Sequence, residues 1–284
     1  MTSRISPEPR AALEIRTGGG AKWLGPDIWV VPGSDPLASP NRPIAGLPNY
    51  VWARVWHRRG IAVQGAQVRF YVSPPHTAPR RSTVKHVGTS VVDLEPGEHY
   101  EILCLTHWEP PLLIGGHCCI VAEVDHPDAP LRYPSTDEFH VGEDPQVAQR
   151  NVNPAFLPEV TSDVPYASLP IFVATRPSDP PHSQVRIRTQ IRDQSLSEEL
   201  LVSLGVSEPR ASASALEFGL GSAPTCSPND LGPNTLDVQM DPSDSMVLYL
   251  RARALKSKAG YSPVDIIETV AGVVVGGYTY ILIT

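Results

Sequence analysis

The sequence predicts an all-β protein built from β-sandwiches, and three observations predict it. The first is punctuation: 31 prolines and 21 glycines are spread through 284 residues. A proline inside a helix lacks an N–H and clashes with the preceding turn, whereas turns and strand edges tolerate it. The second is period-two alternation of side chains in several short runs, the pattern of a strand with two unlike faces. The third is the recurrence of turn residues at short intervals along the whole chain.

Taken in order, residues 1–23 are polar and glycine-rich, with TGGG at Thr17–Gly20, and are expected to form a flexible lead. PDIWVVPG (Pro26–Gly33) reads as a short apolar strand between turn residues. In NYVWARVWHRRG, Tyr50, Trp52, Arg54 and Trp56 alternate with Val51, Ala53 and Val55. In AQVRFYV, Val68, Phe70 and Val72 oppose Gln67, Arg69 and Tyr71. Two further strands flank the Pro–Gly turn at Glu95–Glu98. HCCIVAEVDHPDAP (His117–Pro130) is expected to be a buried strand ending in a turn, and the residues up to Val152 close the unit. That makes about seven strands, the number an immunoglobulin-type sandwich requires.

The pattern then restarts. Strands are expected in SLPIFVAT, SQVRIRTQIR, LLVSLGV, ALEFGLG, NTLDVQMD, MVLYLRARAL and the terminal GVVVGGYTYILIT. Residues 196–206 stay open between helix and strand: Ser197 before Glu198 and Glu199 fits a helix start, while the β-branched end does not continue one. Gly276–Gly277 would allow a bulge or a close backbone approach, and the terminal strand is expected at the centre of its sheet. The expected organisation is a lead over 1–23, an immunoglobulin-like sandwich over 24–152, a linker over 153–163 and a second sandwich over 164–284.

The segments PDIWV, GLPNYVWARVWHRRG, QVRFYV, GHCCIVAEVDHPDAP and QVAQRNV, in that order, resemble the bacterial immunoglobulin-like modules of the cell-adhesion-related (CARDB-type) group. The resemblance covers residues 26–152. Such modules carry a V-x-V-x-N-x-G strand end, and here the segment reads Ala53-Arg-Val55-Trp-His57-Arg-Arg-Gly60. His57 stands where asparagine is usual, and one residue is added before the glycine. What the resemblance implies is a seven-stranded sandwich used as a spacer or for binding, usually without catalysis. It supplies no catalytic residues.

Composition narrows the chemistry. The net charge is -7 with pI near 5.7, and HRR at His57–Arg59 and PRR at Pro79–Arg81 are the basic clusters, so a nucleic-acid partner is not expected. No apolar run is long enough to span a bilayer, and none near the N-terminus has the length of a signal-peptide core. The expected location is the cytoplasm, with export by a non-Sec route left open. Cys104, His107, His117 and Cys118, with Cys119 beside them, would offer thiolate and imidazole to zinc. Neighbouring cysteines alternate across a strand, however, and free cysteine packs as a small hydrophobe, so a core role is the stronger reading. A disulfide from Cys104 to Cys118 or Cys119 is a third option. Glu123, Asp125, Asp128, Asp137 and Glu138 would offer oxygens to calcium, but their spacing is not that of an EF-hand and suits a strand-ending turn.

The chain has no G-x-S-x-G elbow, phosphate loop or dinucleotide fingerprint. Neither catalysis nor a cofactor is expected. The row Tyr50, Trp52 and Trp56 is suited to stacking on sugar rings or anchoring a protein partner. The function expected is that of a non-catalytic structural or protein-interaction subunit of a larger bacterial assembly. Its partners would be other protein subunits, copies of itself included. The alternatives are a carbohydrate-binding or adhesion module and a metal-dependent enzyme.

Overall fold

The computed structural model describes residues 10–73, 78–111, 118–157, 166–193, 195–206, 216–225, 230–255 and 260–284. The first half holds β1 (Ala11–Glu14), β2 (Ile28–Pro32), β3 (Asn49–Gly60), β4 (Val63–Ser73), β5 (Lys85–Leu94), β6 (His99–Leu103), β7 (Cys119–Asp125) and β8 (Val147–Arg150). In one sheet β3 is central, with β6 on one side and β1 and β2 end to end along the other. The second sheet runs β5-β4-β7-β8. The chain crosses between the sheets from β3 to β4, at Gly60. There φ is 109°, and a Cβ would stand 2.2 Å from the Arg10 carbonyl oxygen, so only glycine fits.

Both sheets feed one core. Val51, Ala53 and Val55 of β3 pack with Val68 and Phe70 of β4 and Ile120, Ala122 and Val124 of β7. These are the inward positions that the period-two pattern identifies, and β3 alternates buried and half-buried residues from Asn49 to Trp56. With β3 beside β6 and β4 beside β7, the strand order is that of an immunoglobulin-like sandwich.

The second half holds β9 (Val152–Phe156), β10 (Ala167–Ala174), β11 (Ser183–Ile191), α1 (Glu198–Val202), β12 (Leu216–Gly221), β13 (Thr235–Met240), β14 (Ser245–Ala254), β15 (Tyr261–Val270) and β16 (Val273–Ile283). Its sheets run β10-β14-β12 and β13-β11-β15-β16-β9, and they enclose a second core around Ile171, Ile187, Leu248, Leu250, Ile266 and Tyr280. The terminal strand is central, between β15 and a parallel β9.

Three expectations need correcting, and one strand has none behind it. The lead is part of the fold from residue 10 on, since β1 pairs with β3 and both Ile15 and Trp23 are buried. The glycines hide this strand by leaving AALEI too short to read alone. The expected linker is, up to residue 156, the strand β9, which pairs with β16 in the second half's sheet. Pro154 disguises it, yet a proline is tolerated because β9 is an edge strand. LLVSLGV, open between helix and strand in the sequence, is not a strand. Its start belongs to α1, where the Ser197 side chain caps the Leu200 N–H at 3.2 Å. Finally, β15 was not expected at all: Pro263, Asp265, Glu268 and Thr269 interrupt its apolar pattern. The ladder with β11 begins only at Val264, after the proline, and Asp265 is buried because Thr279 and Arg192 satisfy it.

One residue separates the two sandwiches. Asn151 is fully buried between β8 and β9; its N–H donates to the Trp23 carbonyl at 2.8 Å, and its side-chain amide donates to the Gly277 carbonyl at 2.8 Å. The Trp23 indole N–H donates to Thr279 Oγ1 at 2.9 Å, and that hydroxyl donates to Asp265 at 2.7 Å. An apolar cluster of Trp23, Leu24, Leu200, Leu201, Leu204 and Ile281 fills the same junction.

Candidate binding cleft

The site is built on the outer face of the first sheet. Because β3 turns Val51, Ala53 and Val55 inward, it presents Tyr50, Trp52, Arg54 and Trp56 outward, each half-buried. Trp29 of β2 pairs with Trp52 across the ladder, and the two indoles stack with centroids 5.9 Å apart and planes 8° apart. The Arg54 guanidinium lies 5.6 Å from the centre of the Trp29 ring.

A fully buried carboxylate, Asp27, fixes this face. It accepts from Arg16 through Nε at 2.8 Å and Nη2 at 2.6 Å, and from the Trp56 indole N–H at 2.9 Å. Arg54 stands 3.6 Å from the same group. Such a bidentate pair sets orientation as well as charge. Trp56 is thereby committed: its ring also carries Arg16 and Arg58 over it and touches His99.

Trp29, Trp52 and Arg54 form one wall of a cleft of about 570 Å³. The loop Pro36–Ala38 and the helix α1, from the second half, form the others. Trp52 is anchored by its indole N–H to the Pro36 carbonyl at 3.1 Å. Arg54 crosses the cleft to pair with Glu199 of α1 and reaches Glu101 at 2.8 Å. Leu37 projects from the rim, 77% exposed.

Of the three aromatics expected to form a binding row, Trp52 alone lines the cleft. Tyr50 sits edge-on to His107 at 5.7 Å, and Trp56 is held by the Asp27 network. Trp29 and α1 were missed. Trp29 had a signal, since it alternates with Ile28 and Val30 in a readable strand; for α1 the helix start at Ser197 was readable but its place at the cleft was not, because only the junction brings it there.

The cysteine–histidine group does not converge. Cys104 and Cys118 lie in the inner core, while Cys119, one residue on, faces the outer cluster with Val121, Leu131 and Phe139. All three are free and buried. Burial pushes the Cys104 thiol up to about 11 and the Cys119 thiol up to about 12, which keeps them protonated. His107 is on the surface, paired with Glu109 at 3.0 Å, and His117 lies outside the described residues. The stretch is therefore a core strand ending in a turn.

The proposed calcium carboxylates are likewise occupied. Glu123, almost fully buried, accepts from Arg81 at 2.7 and 3.0 Å and from the Tyr71 hydroxyl at 2.8 Å. Burial alone would raise its pKa, but these donors hold it below the usual carboxylate range. Asp125 meets Arg69, Asp128 meets Arg10, Asp137 accepts from Ser82, and Glu138 meets Arg176. Among the described residues no three His, Cys, Asp or Glu side chains are grouped to hold a metal ion. None of the described helices is long and apolar enough to cross a membrane.

No protein-family model matches the chain, and no curated protein does either. Solved structures match it at low identity. A transglutaminase from red sea bream is 12% identical over 91% of this chain and 31% of its own, with a TM-score of 0.21. The CupB6 tip adhesin from Pseudomonas aeruginosa is 10% identical over 98% of each chain, with a TM-score of 0.23. A lectin from Pleurotus ostreatus in complex with GalNAc is 11% identical over 99% of this chain and 84% of its own, with a TM-score of 0.15. The chain thus spans about a third of the transglutaminase's length. Likeness at this level assigns neither family nor activity.

Proposed function

We propose that this chain is a non-catalytic binding subunit whose cleft between Trp29, Trp52 and α1 receives a segment of a protein partner. The observation that carries this reading is the anatomy of the cleft: a stacked tryptophan pair at its centre, apolar Pro36 and Leu37 beside it, and a rim of Arg54, Glu101, Glu198 and Glu199. Protein interfaces concentrate their binding energy in such central aromatic and arginine anchors and surround them with a polar rim.

A photo-crosslinker placed at Leu37 tests it. Crosslinks to one discrete species, partner or second copy, should form from position 37 and disappear with Trp52→Ala. A control position at Val91, exposed on β5, should give none. The tryptophan change should cost about 2–3 kcal/mol of stability, the scale of one aromatic pair together with the burial of a half-buried indole. Equal crosslinking from both positions, or none from a protein that stays monomeric at 30.8 kDa, overturns the reading.

A sugar is the second reading. Glu101, Glu198 and Glu199 around parallel indoles would accept hydroxyl hydrogen bonds while the rings stack on a pyranose face. Glycan-array binding lost in Trp52→Ala, without crosslinking at position 37, selects it.

A further inference from the structure

A second cleft, of about 380 Å³, opens where the segment around Phe139–Glu143 meets the β15–β16 hairpin. Four cations line it, Lys22 and Arg80 from the first half and Arg176 and Arg188 from the second. Its two carboxylates are already engaged: Glu138 pairs with Arg176 at 3.1 Å, and Glu143 with His140 at 3.3 Å. Lys22, Arg80 and Arg188 have no carboxylate partner among the described residues. In a chain of net charge -7, this local excess of positive charge is no consequence of a basic surface.

Arg80 is the informative residue. It is only 8% exposed. A backbone bridge to Glu138 pins it, as does the turn in which the Thr83 and Val84 N–H groups each donate to its carbonyl at 3.0 Å. Its guanidinium lines the cleft, yet makes no hydrogen bond to a described residue. The Arg80 stem is buried while its guanidinium nitrogens stay open to the cleft, where an anion can reach them. Lys22 is steered to the same place, with its stem over Gly142, where φ is 79° and a Cβ would stand 2.9 Å from Lys22 Cδ. Apart from His140 and Gln149 the remaining wall is apolar, and Val273 and Val274 on it are 63% and 57% exposed.

We propose that this cleft binds a monoester of phosphate or sulfate with an apolar body. The Arg80 fork and the Lys22 and Arg188 charges would hold the tetrahedral oxyanion, which matches guanidinium geometry. The apolar body would lie against Val273 and Val274. Because the cations come from both halves, the bound ester would tie the sandwiches together.

Calorimetric titration of the full chain with phenyl phosphate and phenyl sulfate tests this, with inorganic phosphate, inorganic sulfate and phenol as controls. At least one ester should bind with a Kd of about 1 mM or tighter at low salt and at least tenfold more tightly than its inorganic anion or phenol. The preferred ester identifies the source of the anion. Arg188→Gln, on the exposed face of β11, should weaken binding about tenfold while leaving the unfolding temperature of the free protein unchanged. Arg80→Gln should weaken it further, checked for folding by circular dichroism. No ester binding, or ester affinity unmoved by Arg188→Gln in folded protein, overturns the proposal. Equal binding of an inorganic anion would mark an adventitious ion only, and equal binding of phenol would overturn it too.

Discussion

At the scale of single residues, His57 links the sequence to a measurable pH dependence. It ends the buried phase of β3, where its side chain is enclosed between the sheets. Burial pushes its imidazole below the ordinary value of 6.5, against smaller opposing effects of the Ile61 backbone and Glu95. The unfolded chain therefore takes up this proton more readily than the folded one. The stability that depends on neutral His57 is fully present above about pH 6.5 and is lost as pH falls through the lower folded pKa. The urea midpoint should stay level from about pH 8 to 6.5 and then decline, and His57→Asn should flatten the first part of that decline. Parallel declines in the two proteins would show that His57 is not responsible. Cys118 and Cys119 were equally readable: alternation alone divides the pair between two clusters, and the structure does so.

At the scale of elements, what could be read from the chain follows from where each strand's partners lie. β3, β4 and β11 carry their burial in a clean period of two, because each has one face in a core and one outward. β15 could not be read this way, because its polar residues are satisfied by β16 and Arg192, far away in sequence. The same distance hid Trp23, which looks like part of a polar lead until Gly277 is seen beneath it. A Cβ at Gly277 would stand 2.4 Å from the Trp23 ring. The neighbouring register shift, where Glu268 faces Gly276 but Thr269 faces Val274, is a bulge that leaves Val275 without a partner beside the glycine pair. Gly277→Val should displace the indole and lower stability by about 1–3 kcal/mol, as overpacking does. Chemical denaturation would register it, and an unchanged midpoint would mean that Trp23 does not need that space.

At the scale of the molecule, the two sandwiches share a junction with no flexible connection. β8 passes into β9 through the single buried Asn151, and the network from Trp23 through Thr279 to Asp265 crosses between the halves. Both candidate sites depend on this. The tryptophan cleft takes α1 from the second half, and the cationic cleft takes two of its charges from each. Neither was legible in the sequence, because residues distant in the chain meet only once the junction forms; the aromatic row of β3 was legible and supplied Trp52.

The most direct measurement is differential scanning calorimetry of the full chain beside its Trp23→Ala variant. If the sandwiches form one body, the native chain unfolds in a single transition with equal calorimetric and van't Hoff enthalpies, and the variant separates into two. Two independent transitions in the native chain would contradict the fixed junction, and with it both clefts.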